Sequence, residues 1–193
     1  MRFFIFISIF LAFNILGYSQ ERKTYYIQRT SVAPKIDGIL DEAIWKTSDE
    51  AKDFTQFKPE MGLKDSTEIK TIVKVTYDDD AIYFGAYLHD DPSKIMKQLT
   101  TRDDFGQVDF FTIVLNPNND AQNDTQFIIF SSGTQADAIA NPSVGEDFSW
   151  NAVWESKVKL IEDGWIVEVK IPYRALRFSN ADVQTWGVQF HRH

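Results

Sequence analysis

Cysteine is absent from all 193 residues, and histidine occurs only as His89, His191 and His193. Without a thiol there is no disulfide, no zinc–thiolate site, no cysteine nucleophile and no lipid-modified cysteine. A glycine-rich phosphate loop, a G-x-S-x-G elbow and an H-E-x-x-H pair are missing too. Positive charge is scarce: 20 Lys and Arg stand against 28 Asp and Glu, for a formal net charge of −8. An acidic surface repels polyanions, so nucleic acid and anionic membrane are not expected partners, while neutral ligands and cations remain. Long apolar runs are confined to the first residues. Arg2 precedes an apolar stretch from Phe3 to Leu16, interrupted only by Ser8 and Asn14, and Gly17-Tyr18-Ser19 places small residues before Gln20. That stretch is shorter than the roughly 20 residues a bilayer span requires and has the pattern of a cleavable leader. Residues 1–19 are therefore read as a secretory signal peptide and residues 20–193 as one domain. Export without cysteine suits the periplasm, outer membrane or cell surface of a Gram-negative bacterium.

What the chain does have is apolar material, 44% of its residues, with 15% aromatic. That is enough for a core that holds without disulfides. Its rhythm is mostly period two, the mark of strands with one face buried. Val73, Val75 and Tyr77 alternate with Lys74 and Thr76, and Ile82, Phe84, Ala86 and Leu88 alternate with Tyr83, Gly85 and Tyr87. Val108 to Leu115 is apolar on both faces except Asp109 and Thr112, which predicts a central strand. Further strands are expected at Thr125 to Ser131, Ala136 to Ala140, Trp154 to Leu160, Trp165 to Ile171 and Trp186 to Phe190. Asp78-Asp79-Asp80 and Glu162-Asp163-Gly164 read as tight turns, and Asn116 to Asp124 as a polar loop. Short helical turns are predicted at Asp41 to Trp45, capped by Asp41, and at Tyr173 to Leu176 after Pro172. Eight or nine short strands at this spacing predict an all-β fold, an antiparallel β-sandwich of jelly-roll or immunoglobulin-like type. The chain reaches His193 within or just after a strand, and the expectation is that the natural polypeptide continues.

Several constellations could carry chemistry. His191 and His193 share one strand face, as a metal pair or a solvated strand end. Two carboxylates about 5–10 Å apart would serve a glycosidase. Asp103, Asp104, Asp109, Asp137, Glu146 and Asp147 offer the groups, but sequence singles out no pair and most read as solvated charges. Oxygen-rich loops around Asp103 and Asp109, and around Asn116 and Asp120, are candidate calcium sites, although neither carries the D-x-[DN]-x-[DN]-G pattern. Trp45, Trp165 and Trp186 lie in phase with core positions. Trp150 sits among Glu146, Asp147, Ser149 and Asn151, where an exposed indole would suit the apolar face of a sugar. A loop plug over the end of the sandwich is the alternative.

Ile36-Asp37-Gly38-Ile39-Leu40-Asp41-Glu42-Ala43-Ile44-Trp45 resembles the opening of family 9 carbohydrate-binding modules, which are DOMON-like sandwiches. Tyr77 to Phe84 followed by His89-Asp90-Asp91-Pro92, then Val108-Asp109-Phe110-Phe111, and Gly164 to Pro172 resemble its later signatures in the same order. The similarity spans about residues 34 to 192. A narrower resemblance is to modules at the N-terminus of large exported Bacteroidetes-type proteins. These share Arg102-Asp103-Asp104, Trp150-Asn151-Ala152-Val153-Trp154-Glu155 and Leu176-Arg177-Phe178, and a C-terminal outer-membrane barrel follows in the same chain. The family implies a β-sandwich, affinity for polysaccharide or oligosaccharide, calcium in some members, and association with glycoside hydrolases and carbohydrate catabolism. Sugar-binding members place a tryptophan of an aromatic clamp just before the central strand. Here Phe105 stands in that region, and the other clamp residue would lie beyond His193.

Three functions follow as expectations. The first is an exported carbohydrate-binding module in which Phe105 and Trp150 stack on sugar rings while Arg102, Asp104 and Gln107 hydrogen-bond hydroxyls, with no cofactor required. The second is a non-catalytic structural or interaction domain of an outer-membrane protein. The third is a glycoside hydrolase acting on O-glycosyl bonds. No catalytic residue is assigned.

Overall fold

From Thr71 onward the alternation becomes a stack of two sheets. The structure, a computed structural model, describes residues 23–193, so the leader assigned to residues 1–19 lies outside the described residues. In chain order come β1 (Gln28–Arg29), α1 (Ala43–Thr47), β2 (Thr71–Tyr77), β3 (Ala81–His89), β4 (Phe110–Asn116) and β5 (Asp124–Phe130). These are followed by β6 (Gln135–Asn141), β7 (Gly145–Asp147), β8 (Glu155–Ile161), β9 (Gly164–Pro172), a 3-10 turn over Tyr173–Ala175, and β10 (Gly187–Arg192). One sheet has the order β1-β2-β3-β9-β8 and the other β10-β4-β5-β6-β7. All pairings are antiparallel except β1 with β2, which run parallel. The expected antiparallel sandwich is present, with that one departure.

The core lies between the sheets, because period two turns every second apolar side chain inward. Val73, Val75, Phe84, Leu88, Val167 and Val169 of the first sheet meet Phe111, Ile113, Leu115, Phe127 and Ile129 of the second. Trp165 is fully buried among them, whereas Trp186 is only half-buried and packs against Tyr173 and Phe178. Val108 to Leu115 reads as apolar on both faces because Phe111, Ile113 and Leu115 enter the core between the sheets, while Val108 and Phe110 join a second apolar cluster with Ile128 and Phe130 on the outer face. β3 is also buried on both faces, since Trp45 of α1 covers Ala81 and Tyr83 from outside.

That outer cover is fastened by Glu168 on β9, a wholly buried carboxylate. Its Oε2 accepts the amides of Asp37, Gly38 and Ile39 at 3.0, 2.7 and 3.2 Å, and its Oε1 accepts the Trp45 indole N–H at 3.1 Å. The signatures Ile36 to Trp45 and Gly164 to Pro172 are thus the two halves of one structural lock. The predicted Asp41 cap does not form: α1 begins one residue later, with Glu42 in the cap position and no side-chain cap bond. Glu42 Oε1 instead accepts the Lys35 amide at 3.0 Å, which draws it away from the helix amides.

Candidate functional site

Between β3 and β4 the chain makes a hairpin-like excursion. Lys97 bridges Val108, the Asp109 amide donates to the Met96 carbonyl at 2.8 Å, and the Gln98 amide donates to the Gln107 carbonyl at 3.2 Å. The Gln98 side chain closes the arms by accepting the Gln107 amide at 2.8 Å. The arms are tight at Gly106, where a Cβ would fall 2.7 Å from Thr100 Cγ2. The tip docks on the free stretch of β6 that β7 leaves uncovered. There the Asp103 amide donates to the Gln135 carbonyl at 3.1 Å, and Asp103 Oδ1 accepts the Asp137 amide at 3.1 Å.

The residues expected on a sugar divide into two groups. Phe105 lies on the outer face of the second sheet, 42% exposed, with its ring edge-on to Phe130, Phe148 and Phe110 at 5.0, 5.5 and 5.8 Å between centroids. Asp104 and Gln107 beside it are exposed. His193 stacks on Phe110 at 4.9 Å and extends this aromatic surface. His191 is exposed on the neighbouring turn of the strand, its Nε2 3.3 Å from Gln189 Oε1.

Arg102 and Trp150 turn the other way. Arg102 Nη2 donates to Asp137 Oδ2 at 2.5 Å and Nη1 to Gln135 Oε1 at 2.8 Å. Its Nε donates to Asn151 Oδ1 at 3.3 Å. Trp150 is half-buried rather than exposed, and its ring packs edge-on to core residue Phe127 at 6.1 Å. Phe127 faces the core and Phe130 faces outward, so Trp150 and Phe105 rest on opposite faces of the second sheet. The loop-plug alternative describes this tryptophan. Asp137 is also corrected: it is no solvated charge but a fully buried one. Its place on a strand between Ala136 and Ala138 is the signal of burial that the sequence carries.

The two candidate calcium loops lie at opposite ends of β4: Asp103 and Asp109 precede it, Asn116 is its last residue and Asp120 follows, with six steps of about 3.4 Å between the strand's ends. Asp109 Oδ2 is turned back onto the Met96 amide at 3.2 Å, and burial pushes its carboxyl above the usual range. Asn116 Oδ1 accepts the Asp120 amide at 3.1 Å, and its Nδ2 donates to Asp124 Oδ1 at 2.9 Å. Among the described residues no three His, Asp or Glu side chains are grouped so as to hold a metal ion. Of the remaining acids, Asp147 is held by the amide and hydroxyl of Ser149, and Glu146 is exposed on β7.

A disulfide-free sandwich whose inter-strand hairpin lifts an aromatic ring and polar side chains onto one outer sheet face has the build of a ligand-binding module. Residues 36–192 match the family described as "Carbohydrate family 9 binding domain-like", and the chain belongs to that family. A family 9 carbohydrate-binding module from Caldicellulosiruptor kristjanssonii, solved in complex with cellotriose, is similar at 21% identity and a TM-score of 0.60. The similarity covers 87% of this chain and 75% of that one. A family 9 module from the same organism, in complex with glucose, is similar at 19% identity and a TM-score of 0.56, covering 85% and 75% of the two chains. No curated protein matches the chain.

Proposed function

We propose that this chain is an exported carbohydrate-binding module that takes neutral oligosaccharide or polysaccharide chains on the outer face of its second sheet, at Phe105. Family membership and two related folds in complex with cellotriose and glucose support the class of ligand. The observation that carries the location is Phe105 itself, a part-exposed ring held at a braced hairpin tip with exposed Asp104 and Gln107 at its side. A pyranose presents an apolar face to such a ring and hydroxyls to the flanking carboxylate and amide. Ring stacking contributes about 0.5–1.5 kcal/mol per contact, so a site with one or two rings and a few hydrogen bonds binds in the micromolar-to-millimolar range. Calorimetry with cellotriose and with xylan and mannan fragments tests this. Phe105→Ala should weaken binding by about two- to thirteenfold, the worth of one stacking contact, while the sandwich stays folded by circular dichroism. Absence of binding by the wild-type chain to every glycan would refute the reading.

A second reading, an interaction domain packed against an outer-membrane barrel of the same chain, is favoured by one observation. Trp150 packs on Phe127, on the sheet face opposite Phe105, so these two rings do not oppose each other as a clamp. It predicts full-length protein in which the module resists proteolysis only when the barrel is present, with no glycan retained.

A further inference from the structure

We propose that Arg102 is a positioning residue, a keystone that fixes the Phe105 hairpin against the sandwich instead of touching the ligand. Its seat is Asp137, on the inner face of β6 and fully buried. One carboxylate oxygen, Oδ2, accepts from Arg102 Nη2 at 2.5 Å, the Trp154 indole at 2.8 Å and the Ala152 amide at 3.0 Å. The other, Oδ1, is buried with no partner. A carboxylate so placed is strongly unfavourable without a cation beside it.

The guanidinium does more than neutralise Asp137. Its Nη1 reaches Gln135 on β6, while Nε and Nη2 reach Asn151 Oδ1 and the Ala152 carbonyl, the last at 3.2 Å. It also lies over the Trp154 ring, 6.0 Å from the centroid. One planar fork therefore joins three segments: the hairpin, β6, and the strap from Ser149 to Trp154 that carries Trp150. The next residue, Asp103, stands at φ 63° and adds two bonds to β6, so the backbone leaves Arg102 already turned toward Phe105. The Arg102 side chain is 36% exposed, but its Nε, Nη1 and Nη2 are all engaged by protein acceptors, so it has little left to offer a sugar. What it sets is the place of the ring three residues on.

Lysine keeps the charge over Asp137 but cannot reproduce the fork, because an ammonium is a point donor on a flexible stem. Asparagine at 137 leaves an acceptor for the three donors, puts its amide where Oδ1 has no partner, and removes the charge. Arg102→Lys therefore tests geometry with the charge kept, and Asp137→Asn tests it from the seat's side, though it leaves a buried NH2 without an acceptor. Arg102→Lys should hold its melting midpoint to within about 4 °C of wild type. Amide exchange at residues 103–107 should quicken, and cellotriose affinity should fall, each by about tenfold, the scale of a small misplacement of a binding group. Placed on Phe105→Ala, Arg102→Lys should change affinity no further, while Asp137→Asn should quicken exchange at the same amides.

Unchanged exchange at residues 103–107 in both variants would overturn the proposal, as would equal quickening across the whole sandwich, which marks mere destabilisation. The affinity arm rests on the glycan-binding reading. If wild-type protein binds no glycan, that reading falls, and the exchange arm still decides what Arg102 does.

Discussion

At the scale of single residues, the fold hangs on carboxylates placed where water cannot reach them. Glu168 has four N–H donors and no cation in contact, so its state is a contest between burial and hydrogen bonding. Burial prevails: it pushes the carboxyl above its ordinary 4.5, helped by the nearby Glu42 charge, against the pull of the Gly38 and Asp37 amides and the Trp45 indole. A carboxyl raised in the folded state gives its share of stability in full below its unfolded value, and loses it as pH climbs through the raised one. Glu168→Gln has no proton to lose. It also turns an NH2 group toward donors that need an acceptor, which costs about 1–3 kcal/mol. Thermal melts between about pH 4 and 7 should therefore show the variant least stable relative to wild type at the acid end, with the gap narrowing as pH rises. A gap that widens with pH would contradict the assignment. Asp78 shows the opposite balance: burial opposes ionisation, but the Asp80 and Ala81 amides and the Tyr83 hydroxyl together hold its carboxyl below the usual range. Its contribution is present at neutral pH and is lost as pH falls.

At the scale of elements, hairpin chemistry sets the register. Ile161 pairs with Gly164 across the two-residue turn Glu162-Asp163, and Gly164 pairs with His89 on the other side. Gly164 stands at φ 145°, and a Cβ there would fall 2.0 Å from the Leu88 carbonyl oxygen. No side-chain motion relieves a clash with backbone, so Gly164→Ala should lower stability by at least about 2 kcal/mol, read by urea unfolding. A loss below that would mean β9 shifts without penalty. The apolar pattern revealed β2 to β6 and β8 to β10: β3 and β4 are buried on both faces, and the others set apolar side chains against a core cluster. The strands it missed have no such face: β1 is two exposed residues, and β7 is three. They are held by backbone pairing to β2 and β6, which leaves no trace in residue type. The α1 boundary slipped by one residue: Glu42 stands in the cap position without a side-chain cap bond, its carboxylate accepting the Lys35 amide instead.

At the scale of the whole molecule, the residues around the proposed site were legible and their division of labour was not. Arg102 to Gln107 and Trp150 stand out as polar and aromatic residues between strands. Yet whether Arg102 faces a ligand or Asp137, 35 positions away, depends on how the two sheets close over each other. Charge, by contrast, is a property of the entire chain and reads directly from composition. A net charge of −8 surrounds a site whose proposed ligand is neutral. Screening therefore has little to act on: between salt concentrations of about 0.01 and 1 M, where the Debye length falls from ~30 to ~3 Å, cellotriose affinity should change by less than about twofold. A polyuronate of similar length carries charge of the protein's own sign and should be excluded at low salt. Calorimetry on both ligands across that range decides the matter. Strong salt dependence for cellotriose, or retention of the polyuronate at low salt, would show that charge governs binding and that the neutral stacking site at Phe105 does not.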